Sequence, residues 1–168
     1  MERNTSCSFT GHRPEKLPWG RDESDPRCQD LKVRLDAALE RAYDRGCRHF
    51  ICGMARGADL YFADGVLALR ERHPEVTLEC ARPCETQADS WPEADRRHYF
   101  DILERCNYET LVQHGYDRGC MMRRNRYMVD RSGYLICVYD GVPKGGTAAT
   151  LAYALRQGLE TDILEPGE

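Results

Sequence analysis

Residues 49 to 69 read His-Phe-Ile-Cys-Gly-Met-Ala-Arg-Gly-Ala-Asp-Leu-Tyr-Phe-Ala-Asp-Gly-Val-Leu-Ala-Leu, and this stretch decides the fold. Phe50, Ile51 and Cys52 make the short apolar run of a buried strand. Gly53 to Gly57 form a turn, and Ala63, Val66 and Leu67 recur at helical spacing. A strand, a glycine turn and a helix in that order aim free backbone N–H groups and a helix N-terminus at an anion. Without a Cβ, glycine lets the chain turn tightly and approach a phosphate closely. The spacing matches neither the Gly-Lys-Ser/Thr loop of P-loop proteins nor the dinucleotide Gly-x-Gly-x-x-Gly. Taken alone it fits an ordinary tight turn equally well.

Working outward, the same alternation repeats. Cys7, Ser8 and Phe9 predict a first strand running into Thr10-Gly-His-Arg-Pro14, and residues 15 to 26 predict a loop. Cys28, Leu31, Leu35, Ala38, Leu39 and Ala42 trace a helical face that Gly46 stops. Val76–Ala81 predicts a third strand entering Arg82-Pro-Cys84, residues 84 to 92 an irregular segment, and Tyr99, Ile102, Leu103 and Cys106 another helix. Thr110–Val112 predicts a fourth strand, and Met121, Asn125, Met128 and Val129 a further helix. Tyr134–Tyr139 is the clearest strand, leading through Asp140-Gly-Val-Pro-Lys-Gly-Gly-Thr147 into a helix marked by Ala148, Leu151 and Leu155. Thr161–Leu164 predicts a last edge strand.

Strands alternating with helices imply a mostly parallel sheet with helices on both faces, an α/β three-layer sandwich. In such sheets ligands bind beyond the carboxyl ends of the strands. That rule gathers Thr10, Gly11, His12 and Arg13, the turn from Gly53 through Ala55, Arg56 and Gly57 to Asp59, then Arg82, Tyr116 and Asp140–Thr147 on one edge.

Composition narrows the function. The 168 residues predict a single domain burying roughly 70% of its unfolded surface. A net charge of −4 offers nothing to nucleic acid or an anionic membrane, so both are expected non-partners. Lysine occurs only at 16, 32 and 144, leaving arginine as the chief cation. The nine cysteines include no Cys-x-x-Cys pair. Cys52, Cys80 and Cys137 lie in apolar runs where thiols act as small hydrophobes, so reduced thiols and no metal are expected. No apolar stretch is long enough for a membrane span and no signal opens the chain, which points to the cytoplasm.

The motifs resemble a known family. Phe9-Thr-Gly-His-Arg-Pro14, Gly53-Met-Ala-Arg-Gly-Ala-Asp59, Asn125-x-x-Met-Val-Asp130 and Gly145-Gly-Thr147 together resemble the YpsA-like branch of the SLOG superfamily. Those Rossmann-like proteins include the DNA-processing protein DprA and the LOG phosphoribohydrolases. The resemblance runs nearly the whole chain and implies a Rossmann-like fold with a nucleotide or nucleotide-derived ligand. Where LOG enzymes carry Pro-Gly-Gly-x-Gly-Thr-x-x-Glu, this chain places Thr150 at the glutamate, which argues against LOG-type hydrolysis. Where DprA-like proteins carry Ser-Gly-x-Ala-x-Gly-x-Asp and then a histidine, it has Cys52 and Ala63.

The expected site follows. Gly145, Gly146 and Thr147 are read as holding a phosphate, with Thr147 capping the helix and Lys144 approaching the anion. Arg13, beside His12, is read as a fork for phosphate or carboxylate, with Arg56 and Arg82 as weaker versions. Asp59 fits a helix-start cap, or a role toward ribose hydroxyls or a cation. Trp91 and Tyr116 are candidates to stack on a base, against the commoner reading as packing anchors. Asn125 and Asp130 enter through the resemblance, and Asp130 and Asp140 are the carboxylates that could replace the missing glutamate. The expectation is a nucleotide-binding or sensing domain, free to self-associate and requiring no cofactor. The alternatives are an N-glycosidic nucleotide hydrolase and a DprA-like single-strand binder.

Overall fold

The computed structural model describes residues 1–167. Its six strands are β1 (Ser6–Gly11), β2 (His49–Cys52), β3 (Thr77–Arg82), β4 (Tyr108–Leu111), β5 (Tyr134–Val138) and β6 (Glu160–Leu164). They form one wholly parallel sheet in the order β4-β3-β2-β1-β5-β6. Between them run the helices α1 (Pro26–Asp44), α2 (Ala58–Arg72), α3 (Glu93–Arg105), α4 (Cys120–Asp130) and α5 (Gly146–Arg156). This is the Rossmann-like α/β sandwich that the alternation implied.

The period-two pattern of the strands sorts the two cores. Tyr134, Ile136 and Val138 of β5 join the layer built with α1, α2 and α3, where Leu31, Leu35, Phe62, Leu69, Tyr99 and Ile102 are buried. Leu135 and Cys137 point the other way, onto Val129 of α4 and Leu151 and Ala154 of α5. Ile51 and Ala81 meet Met128 on that second face. Buried on both sides, the central strands read as continuous apolar runs, which is why they were legible.

Most boundaries shift by a residue or so, and two differ in kind. Pro26 opens α1 rather than closing a loop, because a first-turn proline gives up no helical hydrogen bond. The Asp25 carboxylate caps it, accepting the Arg27 N–H at 2.8 Å. Strand β4 begins at Tyr108, paired with Glu79, two residues before the expected start. It is an edge strand whose first residues face solvent, so its beginning carries no apolar signal.

The chain steps outward from β1 to β4 and then returns to β5 on the other flank of β1. The β1/β5 boundary, with Gly11 beside Val138, is therefore the point where strand order reverses. Parallel sheets open a ligand crevice at such a point. Gly11 also lets α2 come close, since a Cβ there would sit 2.8 Å from the Ala58 Cβ. No helix among the described residues is long and apolar enough to cross a membrane.

Phe62 of α2 is fully buried and stacks on Phe9 with ring centroids 4.6 Å apart. Phe62→Ala should cost about 3–5 kcal/mol through the cavity it leaves. Urea unfolding should show a lower midpoint at unchanged slope, and a shift under 1 kcal/mol would mean that the site refills.

Candidate functional site

A cavity of about 360 Å³ opens at the strand-order reversal. The exit of β1 supplies Thr10, Gly11, His12 and Arg13, and the turn before α2 supplies Ala55 and Asp59. Asn125 comes from α4, and Gly146 and Thr147 begin α5. Nine residues named from sequence thus meet around one space. Four were missed: Phe9, Glu15, Lys16 and Arg124.

Arg124 lies at the bottom of the site, 3% exposed. Its Nε donates to Asn125 Oδ1 at 2.8 Å, and Nη1 donates to the Gly53 carbonyl. Nη2 reaches only the Met121 sulfur, at 3.9 Å. Burial pulls this guanidinium below its usual pKa, while nearby Asp59 opposes the shift. Gly53 serves that approach rather than the cavity, since a Cβ there would lie 2.8 Å from Arg124 Cζ. The sequence did hold a signal: Cys120, Arg124 and Met128 share one buried stripe at four-residue spacing, an arginine where a hydrophobe is expected.

Asp59 is also buried, 5% exposed. Its Oδ2 accepts the Ala55 N–H at 3.0 Å, so it braces the glycine turn. Its Oδ1 accepts no hydrogen bond from the described residues, yet it is not sealed from solvent. Burial pushes this carboxyl up to about 6, against the pull of Arg124, the Ala55 N–H and Arg13. Gly57, at φ +85°, turns the chain into α2, and its own Cβ would strike the His12 carbonyl at 2.8 Å.

The start of α5 differs from that of α2. Its N-cap is Gly145 at φ +93°, with no side-chain cap, so Thr147 does not cap the helix. Thr147 lies two residues past the cap position, within the first turn, and lines the cavity instead. Lys16, on a 3-10 turn at Pro14–Lys16, packs against Gly145, where any Cβ would collide with its ammonium. Neither the Lys16 ammonium nor the Arg13 guanidinium makes a hydrogen bond or ion pair among the described residues. Three cations therefore line the cavity against two carboxylates, and Glu15 is already paired with Arg56 at 3.1 Å.

His12 is 2% exposed, and its Nε2 accepts the Asp140 N–H at 3.0 Å, which requires the neutral ring. Burial lowers its pKa, with the Asp140 carboxylate pulling the other way. Asp140 is exposed, and the Val142 N–H that its carboxylate accepts, together with nearby His12, keeps it ionised to lower pH. It holds the loop and does not line the cavity.

Other expected residues lie elsewhere. Arg56 and Trp91 line an adjoining cleft of about 50 Å³ that shares Arg13 and Ala55 with the main cavity, the Arg56 guanidinium lying 5.9 Å from the Trp91 ring. Arg82 is consumed by Tyr99, Glu109 and the Glu85 carbonyl. Tyr116 and Lys144 sit exposed on loops outside the lining. Asp130 ends α4, about 7.5 Å along the axis beyond Asn125 and turned well around the helix from it, and there it accepts the Tyr153 hydroxyl at 2.6 Å. All nine cysteines are free, eight of them buried.

The Asp59 environment predicts a pH dependence. An acid whose folded pKa exceeds its unfolded value near 3.8 binds more protons when folded. It adds stability below about pH 4, which is lost as pH rises through 6. Two units correspond to about 3 kcal/mol. Wild-type stability relative to Asp59→Asn should therefore fall by about 2–3 kcal/mol between pH 4 and pH 7 in paired urea unfolding. A flat difference would mean that this carboxyl is solvated.

Comparison with known proteins agrees with this fold. The YpsA family model, described as a SLOG family, matches residues 7–165. A UPF0398 protein of Halalkalibacterium halodurans is 28% identical over 129 residues, covering 76% of this chain and 68% of the relative. The SPbeta prophage-derived protein YoqJ of Bacillus subtilis is 30% identical over 148 residues, covering 80% and 86%. DNA processing protein A from Helicobacter pylori, described for its single-stranded DNA binding mode, superposes with a TM-score of 0.61 at 17% identity. That likeness covers 96% of this chain but 65% of the Helicobacter chain, and shows a shared fold. With the family match running almost end to end, the chain belongs to the YpsA family of SLOG proteins.

Proposed function

We propose that the cavity binds a nucleotide or nucleotide-derived ligand, with its phosphate at the start of α5. The observation that carries this reading is a buried arginine facing the same space as an uncapped helix N-terminus. The first N–H groups of α5 have no intrahelical acceptor, and Gly145 offers no side chain to satisfy them. An anion there meets those donors, the helix dipole and the unpaired Lys16 and Arg13 together. Family membership and the fold shared with a nucleic-acid-binding protein support the same class of ligand.

Binding without turnover fits the site better than glycosidic hydrolysis. Thr150, at the place of the LOG glutamate, is 3% exposed, and its hydroxyl accepts the Asn125 amide at 2.9 Å. Neither Asp130 nor Asp140 reaches the cavity to replace it. A lost general base typically removes 10²–10⁴-fold of rate.

Calorimetry with a panel of nucleoside mono- and diphosphates should find a binder, with little free base released on long incubation. Gly146→Asp should abolish binding by putting a carboxylate where the phosphate sits. The Gly146 side is open, and an acid in a helix first turn is favourable, so thermal stability should hold or rise. Lys16→Ala should weaken binding roughly tenfold. Unchanged affinity in both variants would move the phosphate elsewhere. Multiple-turnover base release would replace binding by hydrolysis.

A further inference from the structure

The two ends of the cavity differ in kind. One end offers the α5 N-terminus, Lys16 and Arg13, all donors or cations. The other presents Asp59, whose carboxylate already satisfies the glycine turn through Oδ2 and leaves Oδ1 unpartnered. That oxygen still reaches solvent, so a ligand that fills the cavity displaces its water and gains by supplying a donor in its place.

We propose that Asp59 Oδ1 receives a hydroxyl of the ligand's sugar, so that the site selects ribose over deoxyribose. The inference rests on the nucleotide reading above and fixes the ligand's direction within the cavity: phosphate toward α5, sugar diol toward the start of α2. A second phosphate at Asp59 is excluded by like charge. A metal ion there would face Arg124 and Arg13, both close enough to act on Asp59 electrostatically, with a single carboxylate to hold it. A hydroxyl needs neither counter-charge nor further ligands. Asn125 stands beside Arg124 with Oδ1 and one amide N–H engaged, leaving its second N–H for the same diol.

The test compares ligands that differ by one oxygen, so no variant has to fold. Calorimetry with ribose 5-phosphate and 2-deoxyribose 5-phosphate, then with AMP and GMP against their 2′-deoxy and 3′-deoxy forms, reads the preference directly. At least one deoxy position should lose about tenfold or more in affinity, because a site built for a hydroxyl is left with an unpaired buried acceptor. In Asp59→Asn the amide oxygen still accepts from Ala55, and the ribose preference should shrink several-fold while affinity for the deoxy ligand changes little. Equal affinities of the ribo and deoxy forms in the wild type would overturn the proposal while leaving nucleotide binding intact. A preference undiminished in Asp59→Asn would overturn the role of Asp59. If no sugar phosphate or nucleotide binds at all, the functional reading fails and this inference falls with it.

Discussion

The site depends on how closely the end of β1 approaches the start of α2. Gly11 has no room for a Cβ against Ala58, and Gly57 has none against the His12 carbonyl. The Ala58 N–H then donates to that carbonyl at 3.1 Å, tying the first helical residue to the strand exit. One of the free N–H groups at the start of α2 is thereby used internally, and Asp59 braces the turn that precedes it. Of the two helix starts that face the cavity, α2 arrives with its charge already balanced by its own carboxylate. The α5 start, with only glycine as its cap, keeps its donors for something else. Local backbone fit thus decides which end of the cavity accepts an anion.

Charge accounting leads to the same assignment. The chain is acidic overall at −4, which says nothing useful about a cleft lined by Arg13, Lys16 and Arg124. Burying Arg124 and Asp59 near one another costs solvation for both, and no direct ion pair within 4 Å offsets it. Core-filling hydrophobes would be the stabler choice there. Such an arrangement is the usual sign of a site where stability yields to recognition. Burial of Asp59, which outweighs the pull of Arg124 and Arg13, is also what turns the titration of one carboxyl into a measurable property of the whole fold.

Much of this was legible in sequence, and the physical reason differs by element. The fold was readable because the four central strands carry mostly apolar stretches, and the ligand edge follows from parallel topology alone. Residues fixed to strand exits and helix starts, such as Arg13, Asp59 and Gly146, landed in the cavity because topology places them there. Tyr116 and Lys144 did not, because a loop position fixes no direction. Asp130 failed for a simpler reason: it shares a motif with Asn125 but lies five residues further along the same helix, too far to share a pocket. Lys16 and Arg124 were hidden by opposite habits. Lys16 sits in a stretch read as plain loop, and Arg124 sits on a stripe read as plain core.

The contrast between Thr150 and the glutamate of the LOG pattern bears on what the site can become. Thr150 is turned into the protein and bonded to Asn125, so the space that a catalytic carboxylate would need is already part of the packing. Asp59 is then the one carboxylate of the lining not already neutralised by a paired arginine. It approaches from the α2 side, with one oxygen committed to the backbone. A lone acceptor held that way can orient a sugar, because orientation requires only a fixed direction. Activating water requires in addition a free path for the proton and a second group to protonate the leaving base. The proposed role is therefore that of a fixed reader, in which the direction of one carboxylate oxygen favours one sugar over another.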